Sequence, residues 1–197
     1  RGAGDAHRLL HSQAWTGWAP EQVFGVDVKG KALGIVGAGR IGIATAQRAV
    51  AFGLKIHYWS RRPSTEMAEI GAQRHDTLEH LVEQCDVISL HVPATEETHH
   101  LVNTSLLHRF KRNSFLVNTS RGDLVDDDAV FEALSSGHLR GVGLDVFQNE
   151  PLIDPRYYSA GGTFLLPHIG SAAEETRLAM GRLVLAALNK YVQPDHD

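Results

Sequence analysis

The chain has 197 residues, of which 43% are hydrophobic and 21% are charged, close to the averages of globular proteins. This composition excludes an intrinsically disordered chain and supplies enough apolar material for a hydrophobic core. The formal net charge is −4 and the basic residues are scattered, so we expect neither a nucleic-acid partner nor binding to an anionic membrane. The longest aliphatic run, residues 183–188, is too short to span a bilayer.

The cysteine and histidine content points away from a disulfide framework and from a metal site. The single cysteine, Cys85, cannot form an internal disulfide and fits a reducing compartment, so we predict a cytoplasmic protein. Twelve histidines raise the question of metal binding. His7 and His11 are four residues apart, but no carboxylate or cysteine at ligand spacing accompanies them. We therefore expect no metal ion.

In chain order, short apolar runs alternate with helix-like segments. Strands are predicted over residues 32–36, 55–59, 86–92, 114–118, 141–146 and 163–166. Helices are predicted between them over residues 41–52, 77–84, 104–110 and 128–136. Several of the runs are continuously apolar, as strands buried on both faces are. This alternation predicts an α/β fold, a Rossmann-type doubly wound parallel sheet with helices on both faces.

Two flanking segments do not follow that alternation. Residues 1–29 hold a potential helix and then an irregular arm that contains Trp15 and Trp18. Residues 172–191 predict a long helix with one apolar face. Two interpretations of this face stay open. It packs on the chain's own sheet, or it forms a surface for another domain or subunit.

A glycine-rich loop follows the first predicted strand and opens the next helix, over residues 37–42. In this context the pattern G-x-G-x-x-G is typical of a dinucleotide-binding site. We expect Gly37 to permit the tight turn, Gly39 to let the backbone approach a pyrophosphate, and Gly42 to let helix and strand pack closely. Backbone N–H groups at the helix start would bind the pyrophosphate. We therefore divide the chain into a lead-in helix and arm, a dinucleotide-binding domain and a C-terminal helix, over residues 1–29, 30–173 and 174–197.

The end of the second strand indicates which dinucleotide is bound. NAD-binding folds usually place an acidic residue there, about 20 residues beyond the loop, to hold the ribose hydroxyls. Here the strand ends in Trp59 and is followed by Ser60, Arg61 and Arg62. Hydroxyl and guanidinium groups suit a 2′-phosphate, which a carboxylate would repel. We therefore predict NADP(H) in preference to NAD(H); the alternative is that the arginines form a solvated loop end.

Three later strand ends carry polar residues suited to carbonyl chemistry. Arg121, Glu150 and His168 each follow a predicted strand, and the carboxyl ends of parallel strands are where such sheets bind ligands. An arginine can bind a carboxylate with two hydrogen bonds, and a histidine can exchange a proton near neutral pH. A neighbouring glutamate favours the imidazolium and fixes its orientation. We expect the three to converge beside the cofactor.

These segments resemble the D-isomer-specific 2-hydroxyacid dehydrogenase family, and within it the glyoxylate/hydroxypyruvate reductase group. The resemblance runs from about residue 15 to about residue 187. It rests on motifs in the same order along the chain: Trp15 and Trp18 ahead of Gly25, 34–42, 90–93 with Thr95 and Thr98, 118–122, Val125-Asp126, 144–147, Glu150-Pro151 and 167–171.

The resemblance implies an oxidoreductase that transfers a hydride between NADP(H) or NAD(H) and a small 2-oxo acid, such as glyoxylate or hydroxypyruvate. His168 would protonate the carbonyl oxygen of the substrate, giving a D-2-hydroxy acid. Glu150 would hold and tune His168. Arg121 would bind the substrate carboxylate and keto oxygen.

The resemblance also implies a set of cofactor contacts. Asp145 would contact the nicotinamide carboxamide; the alternative is that it only ends a strand. The remaining contacts are expected at Arg40, Ile41, Val92, Pro93, Thr98, Thr119, Ser120 and Gly170. His91 is catalytic by residue type, but its place at a strand end favours a structural role.

Family members also carry a substrate domain whose N-terminal half is absent from this chain. We therefore expect the isolated chain to bind NADP(H) and to turn over poorly or not at all, and the start at Arg1 to mark a fragment. The arm with Trp15 and Trp18 resembles the dimer-forming region of the family, which predicts a homodimer. The alternative function is a nucleotide-sensing binding module, like the transcriptional corepressors of the same family.

Overall fold

A computed structural model describes residues 2–192 of the chain. The strands of this part are β1 (Ala32–Val36), β2 (Lys55–Trp59), β3 (Gln73–Arg74), β4 (Val87–Leu90), β5 (Ser114–Asn118), β6 (Leu139–Leu144) and β7 (Thr163–Leu165). Its α-helices are α1 (Ala3–His11), α2 (Arg40–Ala51), α3 (Thr65–Glu69), α4 (Leu78–Gln84), α5 (Thr104–Leu107), α6 (Asp127–Ser135), α7 (Arg156–Ser159) and α8 (Glu174–Val192).

The strands form one parallel sheet in the order β3-β2-β1-β4-β5-β6-β7. The direction in which strands are added reverses at β1, so that β2 and β4 lie on either side of it. In sheets of this kind the crevice at the reversal, at the carboxyl ends of the strands, is where ligands bind. The predicted Rossmann-type fold is confirmed.

Two hydrophobic clusters lie on opposite faces of the sheet. One joins β1, β4, β5 and β6 to helices α4, α5 and α6, through residues such as Leu81, Leu107 and Leu116. The other joins β1 and β2 to α2 and α3, through Ile35 and Met67 among others. Strand β1 is buried throughout, because both clusters pack on it.

Some elements differ from their predicted bounds. The strand predicted over residues 86–92 covers only Val87–Leu90. Just before it, the Asp86 carboxylate accepts a hydrogen bond from the backbone N–H of Ala32 (2.8 Å). The strand predicted over 141–146 begins two residues earlier, since the buried Leu139 pairs with Ser114. Strand β3 has two exposed residues and no apolar alternation, so no pattern predicted it.

The chain divides into two compact units, Arg1–Leu166 and Pro167–Asp197. The sheet and helices α1 to α7 belong to the first unit. The described part of the second consists of a short irregular stretch and α8. The large exposed apolar side chains of α8 are Leu178, Met180, Leu183, Val184, Leu185, Leu188 and Tyr191. Within residues 2–192, no helix has the length and apolar character needed to cross a membrane.

Candidate functional site

The turn between β1 and α2 is shaped by its three glycines. Gly37 has φ 104°, and a Cβ there would lie 2.7 Å from the carbonyl oxygen of His91. A Cβ at Gly42 would lie 2.1 Å from the carbonyl oxygen of Gly37. By contrast, no heavy atom beyond Gly39 and its two chain neighbours lies within 4 Å of the Cβ position at Gly39. The packing therefore excludes side chains at two positions and leaves open space at the third.

This open space lies at the amino end of α2. Gly39 is the N-cap residue and has no side chain to cap the helix, and the first turn contains no acidic residue. The first N–H groups of a helix have no partner within the helix and attract anions. The Ile41 side chain is 70% exposed beside them, and Arg40 is also exposed. The turn thus fits the diphosphate group of a dinucleotide.

The end of β2 adjoins the glycine turn. The backbone N–H of Gly37 donates to the carbonyl oxygen of Trp59 at 2.9 Å. Ser60 follows directly, and its hydroxyl donates to the carbonyl oxygen of Arg62. Arg61 and Arg62 are exposed. Within the described residues, neither guanidinium group makes a hydrogen bond or an ion pair.

The Thr98 hydroxyl forms hydrogen bonds within the loop after β4. The hydroxyl of Thr98 donates to the carbonyl oxygen of Pro93 (2.8 Å) and accepts from the backbone N–H of Thr95 (2.8 Å). The hydroxyl of Ser120, in the loop after β5, donates to the carbonyl oxygen of Val92 (2.6 Å). These bonds fix the backbone of both loops, and Pro93 is exposed.

Asn118 shapes the turn that carries Arg121. This buried residue accepts a hydrogen bond from the backbone N–H of Ser120 at its Oδ1 (3.0 Å). Its Nδ2 donates to the carbonyl oxygen of Arg121 (2.8 Å). Thr119 and Arg121 are exposed, and a guanidinium nitrogen of Arg121 donates to the carbonyl oxygen of Ser120 (2.6 Å). This role of Asn118 was not predicted from the sequence, where a polar residue at the end of a buried strand was the available signal.

The loops after β5 and β6 touch through their backbones. A Cβ at Gly122 would lie only 1.9 Å from the carbonyl carbon of Phe147. The buried Asp145 donates its backbone N–H to the carbonyl oxygen of Asn118 (3.0 Å). The exposed Glu150 accepts a hydrogen bond from the backbone N–H of Phe147 at its Oε1 (2.9 Å). The first unit therefore carries Arg121 and Glu150 on two adjoining loops.

His168 and Gly170 lie in the second unit. His168 has φ 54°, in the left-handed region that non-glycine residues seldom adopt. Both residues are exposed, and each takes part in at least one polar, ring or electrostatic interaction. A hydrogen bond from the backbone N–H of Ala172 to the carbonyl oxygen of Ile169 (2.8 Å) turns the chain toward α8.

Two further polar groups lie near the sheet without the properties of a reactive site. His91 Nε2 lies 2.9 Å from the Ser89 hydroxyl, and burial lowers the pKa of His91 to about 4. The ring is therefore neutral near pH 7, which favours the structural role. Burial raises the pKa of the Cys85 thiol to about 12, which makes it a poor nucleophile. Among residues 2–192, no three metal-ligating side chains lie together in a metal-binding arrangement.

The family model of the D-isomer specific 2-hydroxyacid dehydrogenase NAD binding domain matches residues 1–170. Glyoxylate reductase of Thermococcus litoralis is 46% identical over 195 residues, which cover 96% of this chain and 58% of that protein.

Solved structures agree with this match. A Polaromonas sp. protein assigned to the same family has a TM-score of 0.91 and 46% identity, with 97% of this chain and 61% of that chain covered. The NADPH-dependent glyoxylate/hydroxypyruvate reductase of Sinorhizobium meliloti, solved with NADP and malonate, has a TM-score of 0.87 and 36% identity. That match covers 97% of this chain and 59% of the other. The chain spans little more than half the length of these relatives. It belongs to the D-isomer specific 2-hydroxyacid dehydrogenase family.

Proposed function

We propose that this chain is the cofactor-binding part of an oxidoreductase that reduces a small 2-oxo acid, such as glyoxylate or hydroxypyruvate, to the D-2-hydroxy acid. The observation that carries the proposal is the glycine turn. Packing requires glycine at Gly37 and Gly42, while Gly39 opens onto free space at a helix amino end. The names of the relatives supply the substrate class.

The proposed cofactor is NADP(H), with NAD(H) as the weaker ligand. The support is the absence of a carboxylate in the segment 60–62, which directly follows the strand that touches Gly37. Arg61 and Arg62 are exposed and have no acidic partner among the described residues. Their guanidinium groups are therefore available to a 2′-phosphate. The Sinorhizobium relative is described as NADPH-dependent.

In the proposed reaction, a bound nicotinamide supplies the hydride that the 2-oxo carbon accepts. Arg121 binds the substrate carboxylate through its exposed guanidinium group and polarises the keto oxygen. His168 donates a proton to that oxygen as charge develops on it. Glu150 stabilises the charged imidazole of His168 and orients it. Regeneration of His168 then takes a proton from solvent.

The other proposed cofactor contacts follow from the loops at the carboxyl edge. Asp145, whose backbone is bonded to Asn118, contacts the carboxamide of the nicotinamide. The backbone at the start of α2 binds the diphosphate. The residues proposed to line the remaining cofactor surface are Arg40, Ile41, Ser60, Val92, Pro93, Thr98, Thr119, Ser120 and Gly170. Thr98 is proposed to contact the cofactor through its backbone and methyl group, because its hydroxyl is already hydrogen-bonded to Pro93 and Thr95 in its own loop.

We also propose a homodimer in the cytoplasm. The arm exposes Trp15 by 51% and Trp18 by 82%, and large aromatic side chains of this kind are enriched at protein interfaces. The exposed apolar residues of α8 are proposed to contact a further domain or subunit. The Thermococcus and Sinorhizobium relatives are both named reductases, which favours the enzyme over a nucleotide-sensing module.

A steady-state assay tests the proposal. The full-length protein should oxidise NADPH in the presence of glyoxylate or hydroxypyruvate, and His168→Gln should lower kcat by about a hundredfold or more. NADPH binding by His168→Gln should stay near that of the unsubstituted protein. Turnover of no 2-oxo acid, together with tight NADPH binding, would favour the sensing module instead.

A further inference from the structure

The loops after β4, β5 and β6 meet at Gln148, which has no part in the proposed catalytic trio. Its Nε2 donates to the carbonyl oxygen of Val125 at 2.6 Å. Its Oε1 lies 3.5 Å from Nε2 of His100. The backbone N–H of His100 in turn donates to the carbonyl oxygen of Asp123 at 2.8 Å. One half-buried side chain thus links the loops that follow three neighbouring strands.

The same segment holds Glu150. Gln148 follows Phe147, whose backbone N–H donates to the Glu150 carboxylate (2.9 Å). The carbonyl carbon of Phe147 lies against Gly122, where even a methyl group would not fit. Gly122 directly follows Arg121 in the chain. The bond from Gln148 to Val125 therefore fastens the turn that carries Glu150 to the loop that carries Arg121.

We infer that Gln148 is a positioning residue that sets the spacing between Glu150 and Arg121 by clamping the loop after β6 to the loop after β5. The inference rests on the proposed function for its catalytic consequence, but the clamp itself is a hydrogen bond from the Gln148 side chain to the backbone of Val125 and does not depend on catalysis. A displacement of about 1 Å in a catalytic group is enough to lower turnover strongly. Groups that orient catalytic or metal-binding side chains are similarly sensitive.

The variant Gln148→Met tests the clamp, because methionine is similar in length and cannot donate a hydrogen bond. A second variant, Gln148→Glu, keeps an oxygen for His100 but places a carboxylate against the carbonyl oxygen of Val125. The matched control is Gln84→Met at the end of α4, where the glutamine is exposed and lies outside the proposed site. The unfolding temperature of each variant is measured first.

Two readouts separate the clamp from the proposed reaction. Hydrogen exchange at the Phe147 amide, which donates to Glu150, should become about tenfold faster in Gln148→Met and stay unchanged in Gln84→Met. In the full-length protein, kcat for glyoxylate should fall about tenfold in Gln148→Met, while the Kd for NADPH and the KM for glyoxylate stay within about twofold.

Each outcome decides one of the two claims. Faster Phe147 exchange with a fall confined to kcat supports the positioning role. Unchanged exchange in both Gln148 variants overturns the clamp, whatever the protein catalyses. Faster exchange with an unchanged kcat overturns the positioning role and leaves the proposed function standing. So does faster exchange accompanied by weaker NADPH binding and a lower unfolding temperature, because the substitution then disturbs the whole fold. An unsubstituted protein that reduces no 2-oxo acid overturns the proposed function and the catalytic consequence of the clamp.

Discussion

The turn after β1 and the segment after β2 lie side by side at the carboxyl edge of the sheet, but they are built differently. The turn after β1 is fixed by contacts: a Cβ at Gly37 would meet His91, and one at Gly42 would meet Gly37. The segment after β2 ends in Arg61 and Arg62, which are exposed and lack charged partners among the described residues. One region is constrained by backbone packing and the other is not.

This difference separates two properties of a cofactor site. The backbone of the packed turn is proposed to bind the diphosphate, and two of its residues, Gly37 and Gly42, are tied to the stability of the fold by close contacts. The exposed segment contributes side chains alone, so we expect substitutions there to change cofactor preference with little effect on folding. The predictions below test this division, from the largest expected effect to the smallest.

Gly42→Ala should be the most damaging substitution in the turn. Its Cβ would lie 2.1 Å from the carbonyl oxygen of Gly37, so α2 must move away from β1. We expect the free energy of unfolding to fall by about 3 kcal/mol or more and nucleotide binding to be lost. Urea unfolding followed by circular dichroism measures the first effect. A variant with unchanged stability would show that α2 is not packed as described.

The pH dependence of stability should reveal the packed region through His91. Burial lowers the pKa of His91 from 6.5 to about 4, so the unfolded chain takes up a proton before the folded chain does. The contribution of neutral His91 to the free energy of unfolding is therefore complete above pH 6.5 and is lost as the pH falls toward 4. This loss amounts to at most about 3 kcal/mol.

Urea unfolding at several pH values between 7.5 and 4.5 measures this loss. Burial also lowers the pKa values of His57 and His75, so part of the pH dependence persists without His91. The comparison is therefore between the unsubstituted chain and His91→Gln, in which the slope should be smaller. Equal slopes in the two proteins would contradict the buried, neutral state of His91.

Gly39→Ala is the matched control for Gly42→Ala, since its Cβ would have no heavy atom within 4 Å apart from those of its two chain neighbours and its own backbone. Stability should change by no more than about 0.5 kcal/mol. The methyl group would occupy the space proposed for the diphosphate, so the Kd for NADPH should rise about a hundredfold. Isothermal titration calorimetry measures it. Undiminished NADPH affinity would place the diphosphate elsewhere.

Arg61→Ala and Arg62→Ala should have the smallest and most selective effects. Each removes one exposed guanidinium group, and loss of a charged hydrogen bond to the 2′-phosphate should weaken NADPH binding about tenfold or more in at least one variant. The Kd for NADH and the unfolding temperature should stay the same. Equal weakening of NADPH and NADH would assign the arginines a general electrostatic role.

The sequence alone predicted those parts of the site that depend on local pattern. The G-x-G-x-x-G spacing between a strand and a helix predicted a tight turn at Gly37 and close packing at Gly42, and the contacts around both residues fit those roles. The approach of a pyrophosphate to Gly39 stays a prediction. The contact between the loops that carry Arg121 and Glu150 followed from the rule that carboxyl ends of neighbouring parallel strands share an edge. The roles assigned to these residues in binding and catalysis stay predictions.

Features that depend on contacts between distant loops could not be predicted. The need for glycine at Gly122 is set by Phe147, and the bond of Gln148 is made to Val125. No periodicity in the sequence encodes such contacts, which arise only when β5 and β6 pair. Strand β3 was missed for a different reason, because two exposed polar residues on a sheet edge carry no hydrophobic signal.

Binding of the two cofactors to the unsubstituted chain tests the central claim most directly. In parallel calorimetric titrations, NADPH should bind with a Kd at least about tenfold lower than that of NADH, because only NADPH carries the phosphate that Arg61 and Arg62 are proposed to bind. Equal affinity, or a preference for NADH, would contradict the interpretation of the segment after β2. Binding of neither dinucleotide would contradict the proposed role of the glycine turn.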